Sequence, residues 1–256
     1  MKDLGKVPLG RVLVENGVVS QRSAKSFVKS NEVLVNGIKV SDAGFLVDTA
    51  SDVVCVNKKI LPQVEHVYYA FNKPLGVVCS TVSDSHKTVY DFVRENDEIM
   101  SKLKSFDIVK NGEVEPELLL HAAGRLDADT EGLLIFSSNG TFTNALTRPE
   151  NNIKRTYLAT LERAVSSQEQ DEYIRKVKTG IKVPPEKKSG EFTARGAELV
   201  FRNSTCCEIT VTEGKFHEVR RIFLALGNRV TALKRIKFFD FELGDLESGE
   251  FRELHL

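Results

Sequence analysis

Apolar residues recur at two periods along this chain, and the switches between them mark out the elements. Over residues 7–16 they return every three or four positions, which predicts a helix with Gly17 as its C-cap. A second helix is predicted over 21–29, with Ser20 as its N-cap; it sets Arg22, Lys25 and Lys29 near one face. Apolar runs on either side of Asn36-Gly37 predict a hairpin over 32–40. A short strand follows at 53–56, and 57–66 reads as a linker. Alternation at 67–72 predicts a strand, Lys73-Pro74-Leu75-Gly76 a turn, 77–81 a resumed strand and 88–93 a short helix. Residues 95–118 are polar with weak periodicity and read as a surface insertion or a long mobile loop. Residues 132–136 are short, apolar and bounded by turn residues, as a core strand is. Beyond Asn139-Gly140 the pattern predicts a helix at 141–146, a strand at 153–161, a helix at 166–176 and strands at 191–202 and 206–212. A turn at 213–217 then feeds a helix capped by Gly227, with Phe216, Val219, Phe223 and Leu226 as its core face, and strands continue over 228–230 and 233–239.

This pattern divides the chain into a small module, residues 1–63, and a larger unit, residues 64–256, carrying the insertion. The hydrophobic fraction of 41% suits a protein with a real core, and no apolar run is long enough to span a membrane. The N-terminus has no apolar signal-peptide core, and the four cysteines show no Cys-x-x-Cys spacing. A cytoplasmic protein with reduced thiols and no metal is expected. The 36 basic and 36 acidic residues cancel, but their distribution is uneven. Residues 1–30 and 215–237 are basic zones, as a polyanion track would be.

The candidate chemistry is concentrated in residues 124–140. Three carboxylates, Asp127, Asp129 and Glu131, lie between two glycines, Gly124 and Gly132, ahead of the apolar strand. A loop held against a rigid strand can place one reactive carboxylate, and Leu126 should pack the loop down. Taken alone, the same residues also fit solvated turn acids, an Asp-x-Asp phosphatase or metal site, or a glycosidase carboxylate pair. Tyr157 can be a half-buried strand residue, and Lys73 a phosphate hook or a capping charge. His217 reads as a hydrogen-bonded structural residue. Arg220 lies beside the core face of its helix, so it should be partly covered and paired with a carboxylate.

Gly17-Val18-Val19-Ser20-Gln21-Arg22-Ser23-Ala24 and Val33-Leu34-Val35-Asn36-Gly37 resemble the S4 RNA-binding domain. Five further motifs follow in order. They are Lys73-Pro74-Leu75-Gly76, then the run from Leu120-His121-Ala122-Ala123-Gly124-Arg125-Leu126-Asp127 to Leu133, then Arg155-Thr156-Tyr157, then Glu213 to Arg221, then Gly227-Asn228-Arg229-Val230. Together they resemble the pseudouridine synthases that modify ribosomal RNA, in the branch with an N-terminal S4 domain. The Leu-His-Ala-Ala run is most similar to the small-subunit members.

The resemblance implies an α+β protein: an S4 (αL-type) module and a mixed, largely antiparallel sheet with a central cleft. It implies cofactor-free isomerisation of uridine to pseudouridine, with ribosomal RNA or a pre-ribosomal particle as partner and a monomer as the working form. Asp127 matches the essential aspartate, which would act near C1′ of a flipped-out ribose. Tyr157 matches the tyrosine that stacks under the uracil, and Arg220 the basic partner that keeps the aspartate ionised. Arg125, Lys73, Arg11, Arg22, Lys25, Lys29, Lys215, Arg221, Lys234 and Arg235 are candidate RNA contacts. Alternatives are a large-subunit synthase of the same family and an inactive S4-type RNA-binding protein.

Overall fold

The computed structural model describes residues 6–16, 18–49, 51–61, 66–106, 115–186, 189–194 and 196–256. The expected Gly17 cap falls outside these residues.

The N-terminal unit contains β1 (Lys6–Pro8), α1 (Leu9–Glu15), α2 (Ala24–Ser30), β2 (Val33–Val35), β3 (Ile38–Lys39), β4 (Leu46–Asp48), β5 (Val54–Val56) and β6 (Lys59–Ile60). Leu9, Val12 and Leu13 of α1 and Val28 of α2 share a core with Val33, Val35, Val54 and Val56 of the sheet β3-β2-β5-β6. Two helix starts lie later than their apolar pattern predicts. Val7 pairs with Val47 in a strand, and Pro8, with φ fixed at −59°, turns the chain into α1. Ser20 does not cap α2, because its hydroxyl bonds the Ser23 hydroxyl in a turn ahead of the helix. The linker also begins later than expected. Asn57 and Lys58 adopt positive φ (48° and 70°) and fold β6 back onto β5, while residues 62–65 lie outside the described residues.

The larger unit is built on a sheet that contains nine strands among the described residues. In chain order these are β7 (Tyr68–Lys73), β8 (His121–Ala123), β9 (Glu131–Ser137), β10 (Arg155–Leu161), β13 (Glu198–Phe201), β14 (Cys206–Val211), β15 (Val230–Phe238), β16 (Phe241–Glu242) and β17 (Phe251–Glu253). The missing numbers, β11 (Ile181–Val183) and β12 (Phe192–Ala194), form a separate two-stranded ribbon. Across the main sheet the order is β13-β14-β10-β15-β9-β7-β17, with β8 on β9 and β16 on β15. Every pairing is antiparallel except β15 with β9. The chain is therefore α+β, with a mixed, largely antiparallel sheet.

The helices of this unit are α3 (Val89–Arg94), α4 (Asp97–Lys104), α5 (Gly140–Thr147), α6 (Ser167–Thr179) and α7 (Glu218–Ala225). Both α3 and α6 start at capping boxes, Thr88 with Asp91 and Ser166 with Glu169. Asn139 caps α5 by accepting from the Thr141 and Phe142 amides. One core cluster joins α6 and α7 to β10 and β14; a second joins α3 and α4 to β7 and β9.

Four expectations are corrected. The stretch at 77–81 is not a strand; a single bridge joins Val78 to Thr88. The segment 95–118 is not wholly a loop, since α4 buries Ile99 and Leu103, capped by Asn96, and a 3-10 turn covers Pro116–Leu119. Residues 107–114 of that segment lie outside the described residues. The expected strand at 191–202 breaks into β12 and β13, and the strands at 228–230 and 233–239 are one element, β15.

Gly132 explains how the parallel pair closes. It stands opposite Lys73 of β7 and Arg235 of β15. With φ +105°, any Cβ there would meet the Arg235 carbonyl oxygen at 2.3 Å.

Candidate active site

The loop between β8 and β9 carries Asp127, and backbone contacts pin it on several sides. Within it the Thr130 amide donates to the Asp127 carbonyl at 3.1 Å, and the Gly76 amide donates to the Ala128 carbonyl at 2.7 Å. Leu126 is buried, and its backbone N and O each lie 3.4 Å from the Cys79 sulfur. Held this way, Asp127 reaches the edge of a cavity of about 400 Å³ with its side chain 39% exposed.

Three distant segments supply the other walls. Tyr157 of β10 lies between Ile209 and Arg235 of the neighbouring strands and is 9% exposed. A register shift between Thr156 and Tyr157 re-aims the strand at this point, as β-bulges near sites do. Arg155 is also buried in the wall, donating to the carbonyls of Ile153 and Thr212, both at 3.0 Å. Burial pushes its pKa down. Arg155 was legible as part of a motif but was not among the expected site residues.

Residues 213–220 close the cavity from the other side. Arg220 lines it with Asp127 and Tyr157, but its partner differs from the expected one. Its guanidinium bonds the Asp129 carboxylate at 3.1 Å, the Asp129 carbonyl at 2.8 Å and the Val230 carbonyl at 3.2 Å. Among the described residues, the basic side chain that comes nearest the Asp127 carboxylate is His217, with Nε2 3.6 Å from Oδ2. Phe216 is not core: it is 40% exposed and stacks on the His217 ring at 3.8 Å. Positive φ at Gly214 and at His217 turns the backbone here, and that turn carries Phe216 out of the helix's apolar face. Glu218 faces inward. Its Oε2 accepts from the Gly214 amide at 2.7 Å and the Lys215 amide at 3.2 Å, and burial raises its pKa against those bonds.

Three expected RNA contacts are corrected by burial. Lys73 is enclosed, donating to the Pro74 carbonyl at 2.9 Å and the Val77 carbonyl at 2.7 Å, and desolvation lowers its pKa. Arg221 donates to the carbonyls of Pro184, Gly190 and Phe216 and to the Ser189 hydroxyl. Arg235 is buried under the cavity, donating to the Leu133 carbonyl at 2.7 Å over the Phe238 ring. Lys73 and Arg221 spend their donors on backbone carbonyls inside the protein, whereas Arg235 lines the cavity with one guanidinium nitrogen unpaired.

The remaining basic candidates reach solvent. Arg125 and Lys215 line the cavity mouth, and Lys215 pairs with Glu213. Lys234 lies 3.9 Å from Glu131. Lys25 and Lys29 are exposed on α2, while Arg22 is exposed in the turn before it. Arg11 pairs with Glu15 at 2.6 Å, and its guanidinium abuts Gly140, so it stands where α1 meets α5.

Residues 67–225 match the RNA pseudouridylate synthase family. The chain belongs to that family. The family match begins beside β7 and ends with α7, so it contains Asp127, Tyr157 and Arg220. Among similar proteins, ribosomal small subunit pseudouridine synthase A of Pasteurella multocida is 32% identical, covering 96% of this chain and 95% of its own. Its counterpart in Escherichia coli is 31% identical over the same shares. Ribosomal large subunit pseudouridine synthase B of Bacillus subtilis is 32% identical, over 96% of this chain and 91% of its own. A crystal structure of a pseudouridylate synthase superposes with a TM-score of 0.58 at 30% identity, over 97% of this chain and 96% of that one. This family member is thus an RNA-modifying isomerase by descent.

Proposed function

We propose that this synthase converts uridine to pseudouridine in ribosomal RNA, with Asp127 as the essential carboxylate. The observation that carries the reading is convergence. Asp127, Tyr157 and Arg220 come from a loop, a strand and a helix, and all three line one cavity. The target uridine must leave its stack to reach such a pocket, at a cost of a few kcal/mol. Asp127 then stands near C1′ of the ribose while the N-glycosidic bond breaks, the uracil turns and its C5 bonds to the sugar. Tyr157 stacks on the base, with its hydroxyl available to accept the C5 proton. Arg220 acts on this chemistry through Asp129, holding the loop that presents Asp127.

The N-terminal unit, residues 1–63, serves in this reading as an S4 RNA-binding module that raises the concentration of the catalytic unit at its RNA. The exposed Lys25 and Lys29 of α2, with Arg125 and Lys215 at the cavity mouth, support a phosphate track across both units. The likeness of the Leu120–Asp127 run to the small-subunit members favours small-subunit RNA, acted on by a cytoplasmic monomer. The Bacillus subtilis relative supports a second reading, large-subunit RNA.

The test offers purified protein both rRNAs, as transcripts and as assembly intermediates, and maps pseudouridine. One site on small-subunit RNA is the expected result. Asp127→Asn should lower kcat by about a thousandfold or more without moving the melting temperature. Absence of pseudouridine from every substrate overturns the proposal, and a site on large-subunit RNA selects the second reading.

A further inference from the structure

His217 stands between two carboxylates. Its Nε2 faces Asp127 Oδ2 at 3.6 Å, and its Nδ1 lies 3.1 Å from both carboxylate oxygens of Glu186. Glu186 belongs to the loop joining β11 and β12, outside every motif that marks the family here. No lysine or arginine among the described residues comes as close to the Asp127 carboxylate.

The arrangement is built from several independent constraints. The Glu186 amide donates to the Ser189 carbonyl at 2.9 Å, and the Ser189 amide returns a bond to the Glu186 carbonyl at 2.8 Å, closing the loop. Arg221 then ties that loop to the start of α7. Its side chain holds Pro184, Ser189 and Gly190, and its own amide donates to the His217 carbonyl at 2.9 Å. The Phe216 ring, 18° from parallel, covers one face of the imidazole. His217 itself is in the left-handed region at φ 48°, a strained conformation for a residue other than glycine. A carboxylate that accepts from Nδ1–H fixes the rotation of the ring, as in other carboxylate–histidine pairs, and the ring then donates to Asp127 from Nε2 as well when both nitrogens carry protons.

We propose that Glu186 and His217 are a positioning pair for Asp127: Glu186 locks the imidazole so that its Nε2 edge orients the Asp127 carboxylate toward the ribose. Glu186 touches no reacting atom and acts only through His217. The inference rests on the proposed role of Asp127.

A double-variant cycle tests it. Glu186→Ala and His217→Ala should each lower kcat by about tenfold, with KM for RNA within about twofold. The double variant should lose no more than His217→Ala alone, because removing the ring removes what Glu186 acts through. Glu186→Gln, which keeps an acceptor for the Nδ1 proton, should recover part of the loss. A purely structural role for the loop would instead multiply the two losses and lower the melting temperature. Either that result or unchanged kcat in Glu186→Ala overturns the proposal. The side-chain nitrogen NMR shifts of His217 supply a reading free of substrate. They should change between wild type and Glu186→Ala, and identical shifts overturn the pairing. Failure of the wild type to make pseudouridine counts against the reaction instead, since the NMR reading does not depend on turnover.

Discussion

Two glycine-bearing loops face each other across the cavity, and they use charge in opposite ways. In the loop at 124–132 backbone supplies much of the support, through an internal turn, the Gly76 amide, and Gly132 packed against the Arg235 main chain, and the Arg220 and Cys79 side chains add to it. Of its acids, Asp127 faces the cavity, Asp129 bonds Arg220 and Glu131 lies near Lys234. In the segment at 213–221, the turn and first residues of α7, buried charged side chains carry more of that work. Glu218 satisfies two amides, and Arg221 satisfies carbonyls of the neighbouring ribbon. A charged residue close to a catalytic pocket can therefore be structural, and backbone support decides which it is.

The comparison breaks or sharpens under five substitutions. Gly132→Ala should have the largest effect, about 4 kcal/mol or failure to fold, because the clash is with backbone and φ is positive. Gly214→Ala in the opposite loop meets only the Arg155 guanidinium, at 3.2 Å, and should cost less in denaturant titration. Equal losses would show that both loops are held by backbone. Next, Arg221→Met should cost about 3 kcal/mol, since it leaves buried carbonyls unpaired. Its midpoint in urea should drop far more than that of Lys215→Met, whose ammonium is half exposed.

The smallest effect should come from Glu218→Gln and should depend on pH. A carboxyl whose folded pKa is raised contributes stability below the ordinary carboxylate range, and loses it as pH rises through the raised value. Glutamine suffers no such loss. The melting temperature of Glu218→Gln relative to wild type should therefore climb as pH rises out of the ordinary carboxylate range. A flat difference would mean that the two amide bonds fully offset the burial.

Much of the frame was legible because it rests on local patterns. The strand at 132–136, the Asn36-Gly37 hairpin and the helix after Thr88 follow from short-range periodicity and turn chemistry. The order of motifs from Lys73 to Val230 was enough to point to the family that the comparisons show. What stayed hidden depends on distance in the chain. The Asp129 partner of Arg220 lies 91 residues away, and the Glu186 partner of His217 lies 31 away. Lys73 reads equally as a phosphate hook or a capping charge until the Val77 carbonyl, curled back over it, selects the second. Helix α4 was missed because mainly Ile99 and Leu103 mark its buried face, and the hairpin at Asn57-Lys58 because its turn contains no glycine.

The lone parallel contact of the sheet has a consequence for biosynthesis. Arg235 reaches back 102 residues to the Leu133 carbonyl, and β15 is inserted between β10 and β9, both of which are translated earlier. A nascent chain emerging in order therefore has the aspartate loop long before the strand that supports it. Chain pairings of such long separation form slowly and late. The cavity that presents Asp127 is thus completed only after β15 has joined strands made before it.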